Sequence, residues 1–461
     1  LTETLKDPVL IVGAGPAGLG AAYKLNQAGF NDWAIYERQR DVGGLSASFV
    51  DEHGFTWDIG GHVVFSHYDL FTKLLDDLIE PSGWIEHERE SWIHILDDWV
   101  PYPFQNNIHR LPAGECADCL KGLLEAAGAR GRAPFESFDD FIERTFGDGI
   151  ARLFMRPYNE KSWAYPPSDM DAGWIADRVS VPDAERVKRN VELKRDDCGW
   201  GPNNTFRFPV HGGTGAIWKA LADRLPAERI FTGLAAVELD VEAHTITLAD
   251  GQVQDYGTLI STMPINKLAQ ISGVEGWIEA TSKLKSSMVN VVGLGLVGGP
   301  PPALKTKCWM YFPEPKYPFY RVTHFSRYSP NNVPEISNQW SLMCEVSESR
   351  AKPVNPATLV EEVVAGLTET GLITGSGAVS HTWTGRAKHA RPTPTRGRDD
   401  ILGTVLPDMY ENRILSRGRF GGWRYEVGNM DHSFMQGYEA ADHIINGTPE
   451  VTLFKPDQVN R

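Results

Sequence analysis

Apolar and polar positions first fall into a clear order near the start of the chain. PVLIVG, beginning at Pro8, is a short unbroken apolar run of the kind that makes a buried strand. LGAAYKLNQAG carries apolar residues at helical spacing and stops at Gly29. WAIYE then resumes the strand pattern and closes on Glu37. Strand, helix, strand in that order predict a parallel βαβ unit over residues 8–37. Far downstream, VELDVEAHTITLADGQVQDYGTLISTMP alternates with period two and turns at Asp250-Gly251, which predicts a hairpin and a further strand. The tail WRYEVGNMDHSFMQGYEAADHIING enters a helix that puts Phe434, Tyr438, Ala441 and Ile445 on one face. Between these pieces, ECADCLKGLLEAAG, FESFDDFIERTFG and GIARLFMRPYN fit period 3.6, so residues 106–180 are expected to be helical. From about residue 266 to 394 the pattern changes to short strand-like runs, VNVVGLGLV, CWMYFP, FYRVTHFS and WSLMCEVS, split by proline and glycine turns. An antiparallel sheet is expected there.

The turn inside the first unit carries chemistry. Gly13, Gly15 and Gly18 form G-x-G-x-x-G between a strand and a helix, the context in which this motif binds a dinucleotide. The first glycine permits the tight turn, the second lets backbone approach a pyrophosphate, and the third lets helix and strand pack closely. The helix N-terminus attracts the phosphate charge. Glu37 stands where a carboxylate can accept from a ribose. Six residues later come Gly43 and Gly44, a pair that resembles FAD-binding proteins of the amine-oxidase-like group. The expected fold class is α/β. A Rossmann-type FAD-binding domain is assembled from 1–100, 212–265 and 395–461, with an inserted helical domain at 106–180. An antiparallel sheet domain is drawn from 181–211 and 266–394.

Length and charge narrow the reading. A chain of 461 residues suits two or three sub-domains. A net charge of -15 disfavours nucleic acid and anionic membranes as partners. An anionic ligand would therefore require arginines gathered locally against the global field. No apolar run reaches membrane-spanning length, and no basic leader precedes the first strand. The five cysteines suggest no disulfide framework, and the C-x-x-C of Cys116 and Cys119 lies in an amphipathic helical stretch without further zinc ligands. A reduced, cytoplasmic protein is expected, with metal binding absent and a homo-oligomer left open.

Several strings are familiar together: GFTWDIGGHVVFSHY, PYPFQNN, FMRPYNEKSWAYP, FRFPVHGGTGAIW, YFPEPKYPFYRVTHFSRYSP and SRGRFGGWRYEVGN. In this order, from residue 8 to beyond 440, the chain resembles UDP-galactopyranose mutase, its eukaryotic-type branch more than the bacterial one. The resemblance implies a flavoenzyme that interconverts UDP-galactopyranose and UDP-galactofuranose. Its fold would include a six-stranded antiparallel sheet. Its reaction would use N5 of reduced FAD as the nucleophile at sugar C1, with no net redox change. NADPH or NADH would reduce the flavin. Lacking a second dinucleotide fingerprint, it would do so from the substrate cleft.

The resemblance also implies residue roles. His62, Arg178 and Arg321 would be catalytic, Arg321 pairing with the diphosphate and Arg178 lying at the flavin edge. Gly60 and Gly61 would let backbone approach the flavin ring, with His62 on that turn. Arg419 would contact the cofactor, and Asn429 would start a helix aimed at the flavin pyrimidine. Tyr311, Tyr328 and Tyr425 would reach the diphosphate. Tyr102, Phe104 and Gln105 would form the uridine pocket, and Asn159, Trp163 and Asn203 would line the sugar. Two positions depart from the pattern. Arg391, in HARPTP, replaces a tyrosine that touches the diphosphate, and Met430 replaces a glutamine after Asn429. Arginine there could keep the phosphate contact, or mark another sugar or another flap geometry. Two other readings share the FAD domain. One is a flavin amine oxidase or desaturase, and the other is a non-catalytic flavin-binding protein.

Overall fold

The strand Val9–Val12 lies at the middle of a five-stranded parallel sheet, in the order Ile414–Ser416, Thr258–Ser261, Val9–Val12, Trp33–Glu37, Ile230–Thr232. This computed structural model describes residues 7–460 apart from 130, 132, 176, 177, 202 and 203. All four residues of Val9–Val12 are buried, as a strand covered on both faces requires. The helix Pro16–Gln27 follows with proline in its first turn, where a missing N–H costs nothing. It packs beside the long helix Met430–Asn446, with Leu19, Ala21, Phe434 and Ala441 in one core. Sequence-distant strands thus build one sheet, two of them, Ile230–Thr232 and Ile414–Ser416, without a strand signal in the sequence reading.

The expected hairpin before Thr258 is a three-stranded ribbon, Ala236–Asp240, Thr245–Leu248 and Val253–Asp255. Its first turn is closed by His244 at φ 55°, a position that offered no glycine to signal it. The helices Ala113–Gly128, Phe138–Ile150 and Arg156–Trp163 form around a separate core. Cys116 and Cys119 are free and sit in that core, and burial pushes the Cys119 thiol up to about 12. Pro157 cannot donate one turn back, and the chain widens into a π turn over Ala151–Met155 just before it.

The large sheet has seven strands, not six. Their order is Val379–Pro392, Ser286–Val297, Gln339–Glu348, Arg321–His324, Trp309–Tyr311, Ser91–Ile95, Asp98–Pro101. It is antiparallel except where Trp309–Tyr311 runs parallel to Ser91–Ile95. The last two strands come from a stretch expected in the dinucleotide-binding part. Their hairpin turns at Leu96 and Asp97, both at positive φ (52° and 58°), the geometry that Asn-Gly ordinarily announces. With Leu-Asp there instead, the hairpin carried no turn signature. Among the described residues, no helix is long and apolar enough to cross a membrane.

Candidate active site

The glycine turns of the parallel sheet fit together as a cradle. Gly13 has φ 102°, and a Cβ on Gly18 would fall 1.8 Å from the Gly13 carbonyl oxygen, so helix and strand meet at backbone contact. Gly43 and Gly44 fold over this turn. The Gly43 N–H donates to the Ala14 carbonyl at 2.8 Å. Gly44, at φ 56°, would place a Cβ 3.2 Å from Gly15 Cα. Glu37 is buried and accepts from the Ala14 N–H at 2.7 Å and the Gln39 N–H at 2.8 Å. Each of its oxygens retains a lone pair for a ribose hydroxyl. The residues present therefore fit an FAD with its pyrophosphate at the start of the helix Pro16–Gln27.

The second paired-glycine turn meets the large sheet. Gly60 has φ 99°, and a Cβ there would lie 3.3 Å from Glu345 Oε2. A Cβ on Gly61 would lie 2.6 Å from Thr323 Oγ1, and the Gly61 N–H donates to Glu345 Oε1 at 3.0 Å. The expectation was that these glycines make room for a flavin ring. Their visible reason is close approach to Glu345 and Thr323. His62 follows directly. Burial pushes its imidazole down to about 4, and its Nδ1 is buried without a partner among the described residues. It is a neutral ring with one unused polar atom.

Glu345, which sequence reasoning missed, organises this region. It is 2% exposed and lies opposite Arg321 across neighbouring antiparallel strands. Arg321 grips both its oxygens, Nε to Oε1 at 2.6 Å and Nη2 to Oε2 at 2.9 Å. The Tyr320 hydroxyl donates to Oε2 as well. Burial opposes the Glu345 charge, but Arg321 outweighs it and the carboxyl is held down to about 2.

Four arginines gather here in an acidic chain. The guanidiniums of Arg178 and Arg419 lie 5.1 Å and 5.0 Å from the Tyr425 ring. Arg391 lies 4.6 Å over the Tyr320 ring. Arg178 donates to the Glu426 carbonyl at 2.5 Å and makes a long contact, 3.5 Å, to Asn429 Oδ1. Its Nε is buried and unpartnered among the described residues. Arg419 donates to the carbonyls of Ala390 (2.9 Å) and Gly428 (2.8 Å). Burial brings its guanidinium down to about 10. Burial alone would raise the Tyr425 phenol, yet Arg391, Arg178, Arg419 and Arg321 together hold it below its ordinary value. A group whose anion is so favoured marks a place built for negative charge. Asn429 opens the helix Met430–Asn446 with extended backbone and makes no side-chain cap bond, while Asp431 in the first turn accepts from the His432 N–H at 2.8 Å. Met430 packs against the core of the parallel sheet.

The aromatic residues divide. Trp163 meets Tyr425 edge-on at 4.6 Å, and Tyr102 lies 5.5 Å from Tyr311. Tyr158, also missed, bridges to Tyr311 at 5.2 Å. Tyr311 accepts from the Trp309 indole N–H at 2.7 Å. Asn159 donates to the Met155 carbonyl at 2.7 Å on its own helix. Gln105 is buried, and its amide donates to the Ser180 carbonyl at 2.6 Å, two residues from Arg178. Phe104 is fully buried and stacks on Phe154 at 4.8 Å. Tyr328 is fully buried among Phe206, Phe208 and Phe325, its hydroxyl has no partner among the described residues, and its phenol feels the charges of Arg321 and Glu345. Asn203 lies outside the described residues.

Comparison with known proteins places this geometry. Residues 11–78 match the family model of an NAD(P)-binding Rossmann-like domain. Among curated proteins, protoporphyrinogen oxidase 2 of Arabidopsis thaliana is 41% identical over 196 residues, 40% of this chain and 36% of that protein. A polyenoic fatty acid isomerase of Ptilota filicina is 33% identical over 78 residues, 17% of this chain and 15% of that one. The chain thus spans between about an eighth and little more than a third of the length of the curated relatives it matches. Cyclohexylamine oxidase of Brevibacterium oxydans superposes with a TM-score of 0.64 over 96% of this chain and 99% of its own, at 14% identity, which shows a shared fold alone. The solved structure of a reduced UDP-galactopyranose mutase superposes with a TM-score of 0.96 at 47% identity, covering 99% of this chain and 98% of that one. Identity sustained at that level from end to end goes beyond a common fold, and this chain belongs to the UDP-galactopyranose mutase family.

Proposed function

We propose that this enzyme interconverts UDP-galactopyranose and UDP-galactofuranose on a bound, reduced FAD. One observation carries the proposal. Arg178, Arg321, Arg391 and Arg419 surround Tyr425 and Tyr320 beside a flavin-type glycine cradle, in a chain whose net charge is -15. Such a cluster suits a nucleoside diphosphate that must leave and return as an anion. When bound and reduced, the flavin supplies a nucleophilic N5 for sugar C1, with no net oxidation.

The chain's own groups do the rest. Arg321 uses Nε and Nη2 on Glu345, which keeps its Nη1 edge for the diphosphate. Tyr425 and Tyr311 add neutral donors, and Arg178 spans the Tyr425 ring and the helix start at Asn429. His62 contributes a hydrogen bond without charge, because a group held near pKa 4 is unprotonated at neutral pH. Asn429, at the helix start, would face the flavin pyrimidine beside the Met430 and Asp431 N–H groups, with Asp431 taking the His432 N–H. Tyr102 and Gln105 mark the side on which a uridine would sit. The physiological reductant is NADPH or NADH, entering the same cleft, so UDP should compete with it. Simultaneous independent binding of the two would count against this. The five free cysteines accord with a reducing, cytoplasmic setting.

The test is anaerobic. The yellow protein is reduced with dithionite and given UDP-galactofuranose, and UDP-galactopyranose is followed by chromatography beside an oxidised control. Conversion in the reduced sample alone is the expected result. Net oxidation of the sugar, or conversion by the oxidised protein, would overturn the proposal.

A further inference from the structure

Arg391, one of the two departures from the family pattern, is already occupied in this structure. Its Nη1 donates to the Ser162 carbonyl and, at 2.8 Å, to Ser162 Oγ. Its Nη2 donates to the Tyr320 hydroxyl at 2.8 Å. The hydroxyl of Tyr320, fully buried, donates in turn to Glu345 Oε2. Glu345 holds Arg321 through both oxygens and the Gly61 N–H through Oε1. The groups form one continuous line, Arg391 to Tyr320 to Glu345 to Arg321, with a branch to the turn that carries His62.

We propose that Arg391 acts on the reaction through this line rather than by touching the diphosphate. Glu345 is then the positioning residue that locks Arg321 and the Gly60–Gly61–His62 turn in a fixed relation. A carboxylate offers about four lone-pair sites. Arg321 Nε and the Gly61 N–H fill those of Oε1, while Arg321 Nη2 and the Tyr320 hydroxyl fill those of Oε2. A node with every site taken can neither rotate nor exchange a partner cheaply in a buried setting. Arg391 supplies direction. Arginine only donates, so the Tyr320 oxygen must accept from it and turn its single proton toward Glu345. A tyrosine at position 391 could either donate or accept, and would not impose that polarity. Moving Arg391 onto a phosphate would break its bonds to Ser162 and Tyr320 together.

This inference rests on the UDP-sugar reading, and its test separates the two. The holoenzyme is compared with Arg391→Met, Tyr320→Phe, the double variant and Arg391→Lys. UDP dissociation constants come from calorimetry, and kcat and KM from the reduced enzymes. Each single removal should weaken UDP by about tenfold, and the double variant should be no weaker than either single. Arg391→Lys still donates to Tyr320 and should recover most of the loss, which a merely structural role would not link to UDP affinity. Losses that multiply in the double variant, with Arg391→Met far the worse single, would put Arg391 on the diphosphate and overturn the inference. Parent enzyme that binds UDP without converting the sugar would instead overturn the functional reading and leave the cycle interpretable. Failure of the parent to bind UDP at all would overturn both.

Discussion

Removing Arg321 should separate its catalytic role from its structural one, provided its partner is removed as well. Glu345 is 2% exposed and held down to about 2 by Arg321. Arg321→Ala alone strands that carboxylate, and breaking a buried ion pair from one side costs about 3–5 kcal/mol. Against a typical total stability of roughly 5–15 kcal/mol, the single variant would be inactive for uninformative reasons. Arg321→Ala with Glu345→Gln removes both charges. Glutamine still accepts from the Gly61 N–H or the Tyr320 hydroxyl, so most of the loss in stability should return. Turnover should not. Losing a charge-stabilising donor at the departing group costs about 10²–10³ in kcat, or roughly 2.7–4 kcal/mol of barrier. Thermal melts measure the first quantity, and anaerobic turnover of dithionite-reduced enzyme the second. The flavin absorbance of each variant shows whether FAD is retained, as it should be. A double variant that recovers both stability and turnover would mean that Arg321 matters only as the counter-ion of Glu345. Folded protein that has lost its FAD would mean that Arg321 belongs to the cofactor site.

His62→Ala should lower turnover while the flavin is still reduced, and the parent pH–rate profile should show no inflection near 6.5 from this group, which burial holds near 4; unchanged turnover would remove it from the site. Gly44→Ala should lower the flavin-to-protein absorbance ratio, because its φ of 56° disfavours a side chain and its Cβ would press on Gly15; full FAD occupancy would refute the cradle. Acid should destabilise the fold between about pH 6.5 and 4. His324 and His432 are buried and held near 4, so the unfolded chain binds more protons across that window, worth on the order of 3 kcal/mol for each. Asp58, raised by burial to about 6, works in the opposite sense over part of it and offsets one of them. Urea unfolding at pH 7.5 and pH 5 measures the balance, and equal midpoints would refute it.

Much of the fold was legible because its signals are local. PVLIVG reads as a buried strand since all four of its central residues are covered, and the glycine spacing of the following turn is dictated by backbone contacts a few residues apart. The ribbon after residue 235 and the hairpin at 91–101 were harder for the same reason in reverse. Their turns are closed by His244, Leu96 and Asp97 at positive φ, where tertiary packing holds conformations that local preference would not choose. The seventh strand, and the single parallel pairing, follow from that hairpin docking on Trp309–Tyr311, a partner more than two hundred residues away.

The resemblance points to the arginines of the site and not to its acid. Arg178, Arg321 and Arg419 are singled out by the strings they stand in, since an isolated arginine in an acidic chain is ordinarily a solvated face. An aromatic in a familiar string says nothing about which way its ring turns, and the rings of Phe104 and Tyr328 both pack in cores. Glu345 lies inside WSLMCEVS, where a strand buried along nearly its whole length hides one charged residue among apolar and serine neighbours. Yet FYRVTHF, the strand-like run before it, carries a lone arginine at a matching place. The strand Gln339–Glu348 buries two acids, Glu345 and Glu348, and Glu348 is taken by Arg386 and Asn290. A buried charge left unpaired is costly, so pairing Arg321 with the remaining acid favours the register the structure has, Arg321 opposite Glu345 and Val322 opposite Cys344. The same constraint that aligns the strands brings the carboxylate to the Gly60–Gly61 turn. There Gly60, at φ 99°, would bring a Cβ to 3.3 Å from it, and a Cβ on Gly61 would come 2.6 Å from Thr323 on the neighbouring strand. The paired glycines before His62 are thus accounted for by Thr323 and Glu345 together, on two strands far downstream.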